Sequence, residues 1–288
     1  MDKVATPGRT LALLREKGVV PRKSRGQHFL IDTNIVRKIV EAAQLCPEDV
    51  VVEVGPGLGA LTQGLAERAG LVIAVEIDPC LVQALKEIFQ GKHQVHIVEG
   101  DALKMDLDAM VARYAGAPSP YKLVANLPYY ITTPLMFHFL EKGVGIKLMV
   151  LMVQAEVGHR MIAHPGSKDY GALSLAVQYY TEPFIVARVP ASVFYPRPKV
   201  DSVIVKLICR ENPPVKVEDK DLFFAVIRTS FNHRRKTLAN ALAFTGVPKE
   251  VALKALAEAG INPQRRGETL SIEEFALLSN TLKSSMGR

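Results

Sequence analysis

The chain has 288 residues, 48% hydrophobic and 23% charged, which is enough apolar content for a full core and a length that suits one large domain plus a smaller one. Its net charge of +7 is unevenly spread: residues 1–28 carry seven Lys/Arg against two Asp/Glu, residues 206–288 carry fourteen against nine, and the middle has fifteen against eighteen. No stretch has the apolar length of a signal peptide or a membrane span, and Cys46, Cys80 and Cys209 form no C-x-x-C pair, so a soluble cytoplasmic chain with reduced thiols and no metal site is expected.

In chain order, the basic stretch 1–28 reads as an N-terminal arm. Apolar residues at helical spacing over 35–45, with Asp32, Thr33 and Asn34 as N-cap candidates, predict a helix. The pattern then alternates: a β-branched run at 50–54, a helix over 58–68, a strand at 72–76, a helix over 79–89, and further strands at 95–98 and 122–125. This is the order of an open α/β domain wound around a mostly parallel sheet, whose ligand site lies at the carboxyl ends of the strands. A helix from Pro134 to about Glu141, a strongly apolar strand at 148–153 and a helix over 156–163 follow. The loop 164–170 reads as mobile, and strands at 184–189 and 200–207 flank a Pro-rich segment as a terminal hairpin. Residues 211–221, with Pro213 and Pro214, read as a linker, and 223–282 as an all-helical domain. The expected division is therefore an arm at 1–28, a ligand-binding α/β domain at 29–210 and a helical domain at 211–288.

Glu53-Val54-Gly55-Pro56-Gly57-Leu58-Gly59 is a buried strand running into a tight turn and a helix, where glycines permit positive φ and close approach of a ligand. A dinucleotide site spaces its glycines as G-x-G-x-x-G to seat a pyrophosphate; here the third falls one residue early. Glu76 ends the next strand, where a carboxylate can accept both ribose hydroxyls of an adenosine. Asp101, in Gly100-Asp101-Ala102 after the third strand, is placed to accept from an adenine amino group. Each feature alone is often structural. Three in order, at successive strand ends, imply a cofactor containing adenosine, with S-adenosylmethionine and NAD both open at this stage.

The fourth strand delivers Asn126-Leu127-Pro128-Tyr129-Tyr130 to the same edge. The lone pair of an adenine N6 is delocalised into the ring, so attack on a methyl sulfonium requires that conjugation to be weakened. An amide oxygen with a backbone carbonyl beside it can accept both N6 hydrogens and favour a pyramidal nitrogen. Pro128 stiffens the turn, and Tyr129 can stack on an extruded base. The alternative is an ordinary Pro turn with a half-buried Tyr, and the upstream cofactor loop weighs against it.

Taken together, Gly26-Gln27-His28-Phe29-Leu30, the glycine loop, Glu76, Gly100-Asp101-Ala102, Asn126-Leu127-Pro128-Tyr129, the segment Val193-Phe194-Tyr195-Pro196-Arg197-Pro198-Lys199-Val200-Asp201-Ser202 and the run from Phe231 through Arg234-Arg235-Lys236 to Leu238 make a specific set. It resembles the KsgA-type ribosomal RNA adenine dimethyltransferases. The resemblance implies a Rossmann-like methyltransferase domain with a small all-helical C-terminal domain, S-adenosylmethionine as cofactor, and double methylation of two adjacent adenines near the 3′ end of 16S ribosomal RNA, with a role in small-subunit biogenesis. Carried over by motif, His28, Leu30, Gly55, Gly57, Glu76, Asp101, Ala102 and Asn126 line the cofactor site. Asn126, Leu127, Pro128 and Tyr129 form the catalytic turn, and Tyr129 and Phe194 sandwich the target adenine. The family often has Asn where this chain has His28.

The basic groups Arg22, Lys23 and Arg25, with Arg234, Arg235 and Lys236, are candidate phosphate contacts, and Arg265 and Arg266 are weaker ones. The expected partner is 16S ribosomal RNA in a small subunit or its precursor. No long apolar stripe asks for a second chain, so a monomer is expected. A large-subunit ribosomal RNA methyltransferase shares these motifs, an RNA-binding assembly factor fits the basic ends, and an NAD-dependent oxidoreductase is disfavoured by the glycine spacing.

Overall fold

The computed structural model describes residues 3–22 and 26–286. Two compact units divide them, one formed by Met1–Gly158 with Glu182–Cys209, the other by His159–Thr181 with Arg210–Arg288. The division differs from the expected one at both ends of the α/β domain.

The N-terminal stretch is not a free arm. Pro7–Glu16 is a helix (α1) whose N-cap Thr6 accepts from the Arg9 N–H. It buries Leu13 and Leu14, which join Val4, Val19, Phe29, Leu58 and Leu81 in one apolar cluster. Its charges are engaged locally, Arg9 with Glu16 and Lys17 with Glu87. Apolar contact on one face, rather than net charge, decides where this segment lies.

After it come β1 (Phe29–Leu30), α2 (Thr33–Ala43), β2 (Val50–Val54), α3 (Ala60–Ala66), β3 (Leu71–Glu76), α4 (Pro79–Ile88), β4 (Val95–Glu99), α5 (Leu107–Ala115), β5 (Tyr121–Asn126), α6 (Thr132–Lys142), β6 (Ile146–Gln154), α7 (Ala155–Ile162), α8 (Ala172–Tyr180), β7 (Thr181–Val189), β8 (Phe194–Tyr195) and β9 (Ser202–Cys209). The seven-stranded sheet has the order β4-β3-β2-β5-β6-β9-β7. Strands β2 to β6 run parallel, and β9 returns antiparallel beside β6. The parallel strands are β-branched and nearly fully buried, as a sheet covered on both faces requires. The strand order reverses between β2 and β5, so the loops after them diverge and open a crevice at the carboxyl edge. Register brings the strand ends level there: Val54 pairs with Val75, and Glu76 with Glu99.

A separate two-stranded pairing has Phe29 opposite Tyr195 and Leu30 opposite Phe194, antiparallel. It ties the segment just before α2 to the segment between β7 and β9.

The second unit holds α8 and then α9 (Lys220–Asn232), α10 (Leu238–Ala241), α11 (Lys249–Glu258) and α12 (Ile272–Met286). Its core is aromatic, with Tyr179, Phe223 and Phe224 packed edge to face or tilted. The loop at 164–170, expected to be mobile, is pinned within this unit: the Gly166 N–H donates to Glu268, and fully buried Tyr170 donates its hydroxyl to the Leu270 carbonyl at 2.9 Å. Among the described residues no helix is long and apolar enough to cross a membrane.

Candidate active site

A cavity of about 250 Å³ opens at the carboxyl edge of β2 to β5. Its wall contains Gly26, Gln27, His28 and Phe29 from the segment before α2, Gly55 and Gly57 after β2, Glu76 and Ile77 at the end of β3, Gly100 to Leu103 after β4, and Asn126 to Ile131 after β5. Of the residues singled out in the sequence, His28, Gly55, Gly57, Glu76, Asp101, Ala102, Asn126, Leu127, Pro128 and Tyr129 are brought together there. Gln27, Ile77, Leu81, Leu103, Tyr130, Ile131 and Leu135 also line it and carried no motif-level signal beyond their neighbours.

The glycine turn is shaped by what lies against it. Gly57 has φ +60°, its N–H donates to Glu76 Oε2 at 3.2 Å, and a Cβ there would sit 3.1 Å from the Phe29 ring. Gly59, at φ +83°, caps α3, and a Cβ would fall 2.4 Å from Phe89. The early third glycine therefore serves packing of α3 against the Phe89 ring.

Glu76 is 5% exposed, and its Oε1 accepts from the Ile77 and Asp78 N–H groups at 2.9 and 3.0 Å. Burial pushes its carboxyl above the usual range, opposed by the three backbone donors. A carboxylate has about four acceptor sites, so with three filled Glu76 keeps about one for a ligand. It is placed to take a single hydroxyl, rather than the two expected. Beneath the turn Glu53 is 1% exposed and accepts from the Thr62 hydroxyl at 2.6 Å. Burial, with the nearby Glu76 charge, raises its pKa to about 8, so it is largely protonated at neutral pH. Asp101 Oδ1 accepts from the Leu103 N–H, while Oδ2 has only Lys104 at 3.8 Å.

In the turn after β5, Asn126 Nδ2 donates to the His28 carbonyl at 3.3 Å, and its Oδ1 has no partner among the described residues. The Pro128 carbonyl accepts from the Ile131 N–H and the Thr132 hydroxyl. The Leu127 carbonyl accepts nothing among the described residues, so the turn offers two acceptors side by side, Asn126 Oδ1 and Leu127 O. The Tyr129 hydroxyl shares a 2.7 Å hydrogen bond with Ser202, its ring centroid lies 5.5 Å from that of His28, and burial raises its pKa.

Leu30 and Phe194 are not in the cavity wall. They face each other in the β1–β8 pair, 4% and 2% exposed, inside the apolar core with Ile35, Ile39 and Ile204. A strand pair that buries its inward side chains sends them to the core, which is why the second aromatic face expected of Phe194 is not presented to the cavity here.

The candidate phosphate contacts also separate. Arg22 Nη1 lies 3.5 Å from Asp78 Oδ2, while Lys23 and Arg25 lie outside the described residues. Arg234 is held by Glu268 and by the Lys168 carbonyl. Arg265 is locked to Glu274 and to the Thr269 carbonyl. Arg235 and Arg266 make no ion pair among the described residues, and the Lys236 ammonium sits 5.3 Å over the exposed Phe244 ring.

Comparison with known proteins agrees with this constellation. The family model described as ribosomal RNA adenine dimethylase matches residues 20–284. The chain is 62% identical, over 98% of its own length and 100% of the relative's, to "Ribosomal RNA small subunit methyltransferase A" of Moorella thermoacetica, and 50% identical over the whole of both chains to the protein of that name from Pelotomaculum thermopropionicum. Among solved structures, a dimethyladenosine transferase from Plasmodium falciparum superimposes with a TM-score of 0.73 at 30% identity, covering 87% of this chain and 96% of that one. With a buried adenosine-type acid, an amine-accepting turn and these relatives agreeing, the chain belongs to the ribosomal RNA adenine dimethylase family.

Proposed function

We propose that the protein uses S-adenosylmethionine to dimethylate the N6 amines of two adjacent adenines near the 3′ end of 16S ribosomal RNA, acting as a monomer on a small ribosomal subunit or its precursor. The observation that carries this reading is the pair of unoccupied acceptors, Asn126 Oδ1 and Leu127 O, on the same cavity as Glu76 and Asp101.

The residues present fit the cofactor. Glu76 retains an acceptor site for a ribose hydroxyl, Asp101 Oδ2 is open to an adenine amine, and the glycine turn leaves no side chain between them. When bound, the cofactor supplies an electrophilic methyl group on its sulfonium. Asn126 and Leu127 then accept the two N6 hydrogens of the target adenine and draw its lone pair out of conjugation with the ring. Tyr129, its ring oriented by Ser202 and backed by His28, stacks on the extruded base, a contact of about 1–3 kcal/mol. The methylated nitrogen sheds its proton readily, and no strong base is needed. In the helical unit Arg235, Lys236 and Arg266 remain as cations for phosphate.

Incubation with labelled S-adenosylmethionine and unmethylated small or large ribosomal subunits, followed by mass-spectrometric mapping, tests the reading. Dimethyladenosine in small-subunit RNA is expected. Label confined to the large subunit would overturn it, and that outcome is worth measuring because the 23S rRNA methyltransferase ErmE also superimposes, with a TM-score of 0.66 at 28% identity over 88% of this chain and 99% of that one.

A further inference from the structure

The β1–β8 pair has Phe29 opposite Tyr195 and Leu30 opposite Phe194, and the Ile31 N–H continues the ladder to the Val193 carbonyl at 2.9 Å. One step in the other direction, the same register sets His28 opposite Pro196. Proline has no N–H to donate, so the ladder cannot continue in the ordinary way. The His28 side chain takes over: its Nδ1 lies 2.6 Å from the Pro196 carbonyl. A carbonyl only accepts, so Nδ1 carries the proton and the tautomer is set by this bond.

The same residue reaches two other parts of the site. Its carbonyl accepts from Asn126 Nδ2 at 3.3 Å, and its ring lies 5.5 Å from Tyr129 at an interplanar angle of 31°. That spacing is too short to admit a base between the two rings, so His28 supports one side of Tyr129 and leaves the base the other. We propose that the His28 imidazole is a positioning residue for the target base, clasping the Pro196 segment by its Nδ1–H and backing the Tyr129 ring. The backbone of His28 serves the cofactor side, where its carbonyl orients Asn126. The side chain serves the nucleic-acid side. The proposal rests on adenine methylation by this cavity and assigns the imidazole a task separate from holding the cofactor.

The test combines a spectroscopic signature with a kinetic split on the full-length protein. Long-range ¹H–¹⁵N correlation on ¹⁵N-histidine-labelled protein, with His28→Ala to assign the signal, is expected to show His28 protonated at Nδ1. A signal from the Nε2–H tautomer would overturn the clasp. His28→Ala is expected to lower kcat/KM for RNA by about tenfold, through a higher KM for RNA, with the dissociation constant for S-adenosylmethionine changed less than twofold. His28→Asn, which keeps a side-chain donor, is expected to recover at least half of that loss. A cofactor dissociation constant that rises as much as kcat/KM falls, or an Asn variant no better than Ala, would overturn the assignment. Failure of the unchanged protein to methylate any small-subunit RNA would instead remove the functional reading, and the tautomer measurement would stand apart from it.

Discussion

The cofactor side and the base side of the cavity are built differently. On the cofactor side Glu76 is held by three backbone N–H groups from Gly57, Ile77 and Asp78, and Asp101 by the N–H of Leu103. On the base side Tyr129 is oriented by the Ser202 hydroxyl and the His28 ring, Asn126 by a carbonyl 98 positions away, and Phe194 lies in the core. Backbone donors at strand ends follow from a parallel sheet once it forms. Side-chain supports depend on segments brought in from elsewhere in the chain. The cofactor half is thus preorganised by the fold, and the base half by tertiary contacts with β1, β8 and β9.

Substitutions separate the halves. Asn126→Ala is expected to cut turnover on RNA by about 10²–10³-fold, read by rapid-quench methyl transfer, with cofactor affinity by calorimetry within a few-fold. Equal turnover would remove the amine-accepting role. Glu76→Ala is expected to weaken cofactor binding by about 10–100-fold, the loss of one charge-assisted hydrogen bond. If calorimetry showed no change, the adenosine site would lie elsewhere. Tyr129→Ala and Phe194→Ala sharpen the contrast within the base side. The first should lower kcat/KM for RNA by up to about 100-fold with little change in melting temperature. The second should cost about 3–5 kcal/mol of folding stability, because it empties a packed core position. A Phe194→Ala protein with unchanged stability but lost RNA affinity would place that ring on the base after all.

Glu53 allows a pH test of the cofactor floor. Its folded-state pKa, about 8, exceeds the ordinary carboxyl value of 4.5, so its contribution to stability is full below about 4.5 and is lost as the pH rises through about 8. The unchanged protein should melt several degrees lower at pH 9 than at pH 6, and Glu53→Gln should flatten that dependence. The smallest effect belongs to the helical unit. Arg235→Ala should reduce the salt slope of RNA binding by about 1, whereas Arg234→Ala, which breaks the Glu268 pair, should register in thermal stability.

Several elements were not legible as the structure has them. Helix α5 carries an N-cap at Asp106 and a left-handed Gly116 after its end, signals present in the sequence yet absent from the expected elements. Helix α8 has no polar stripe: Leu173, Ser174, Leu175, Ala176, Val177 and Tyr179 are all buried, so it shows no helical period. Helix α1 was hidden by its charges. The grouping of residues 159–181 with the C-terminal helices rests on Tyr170 meeting Leu270 across 100 positions, a pairing no local pattern announces.

What the sequence determined by itself was the set of chemical groups at the strand ends: the glycine turn, Glu76, Asp101 and the turn at Asn126. It could do so because β-branched runs and turn residues are local signals, and a parallel sheet necessarily brings its carboxyl ends to one edge. What only the tertiary structure decided was how those groups are occupied. It left Glu76 about one acceptor site, left Leu127 rather than Pro128 as the open carbonyl, committed Arg234 and Arg265 to ion pairs, and turned Phe194 into the core while His28 reached Pro196. Each depends on a hydrogen bond or contact between residues distant in the chain, and such partners are fixed by packing rather than by local pattern.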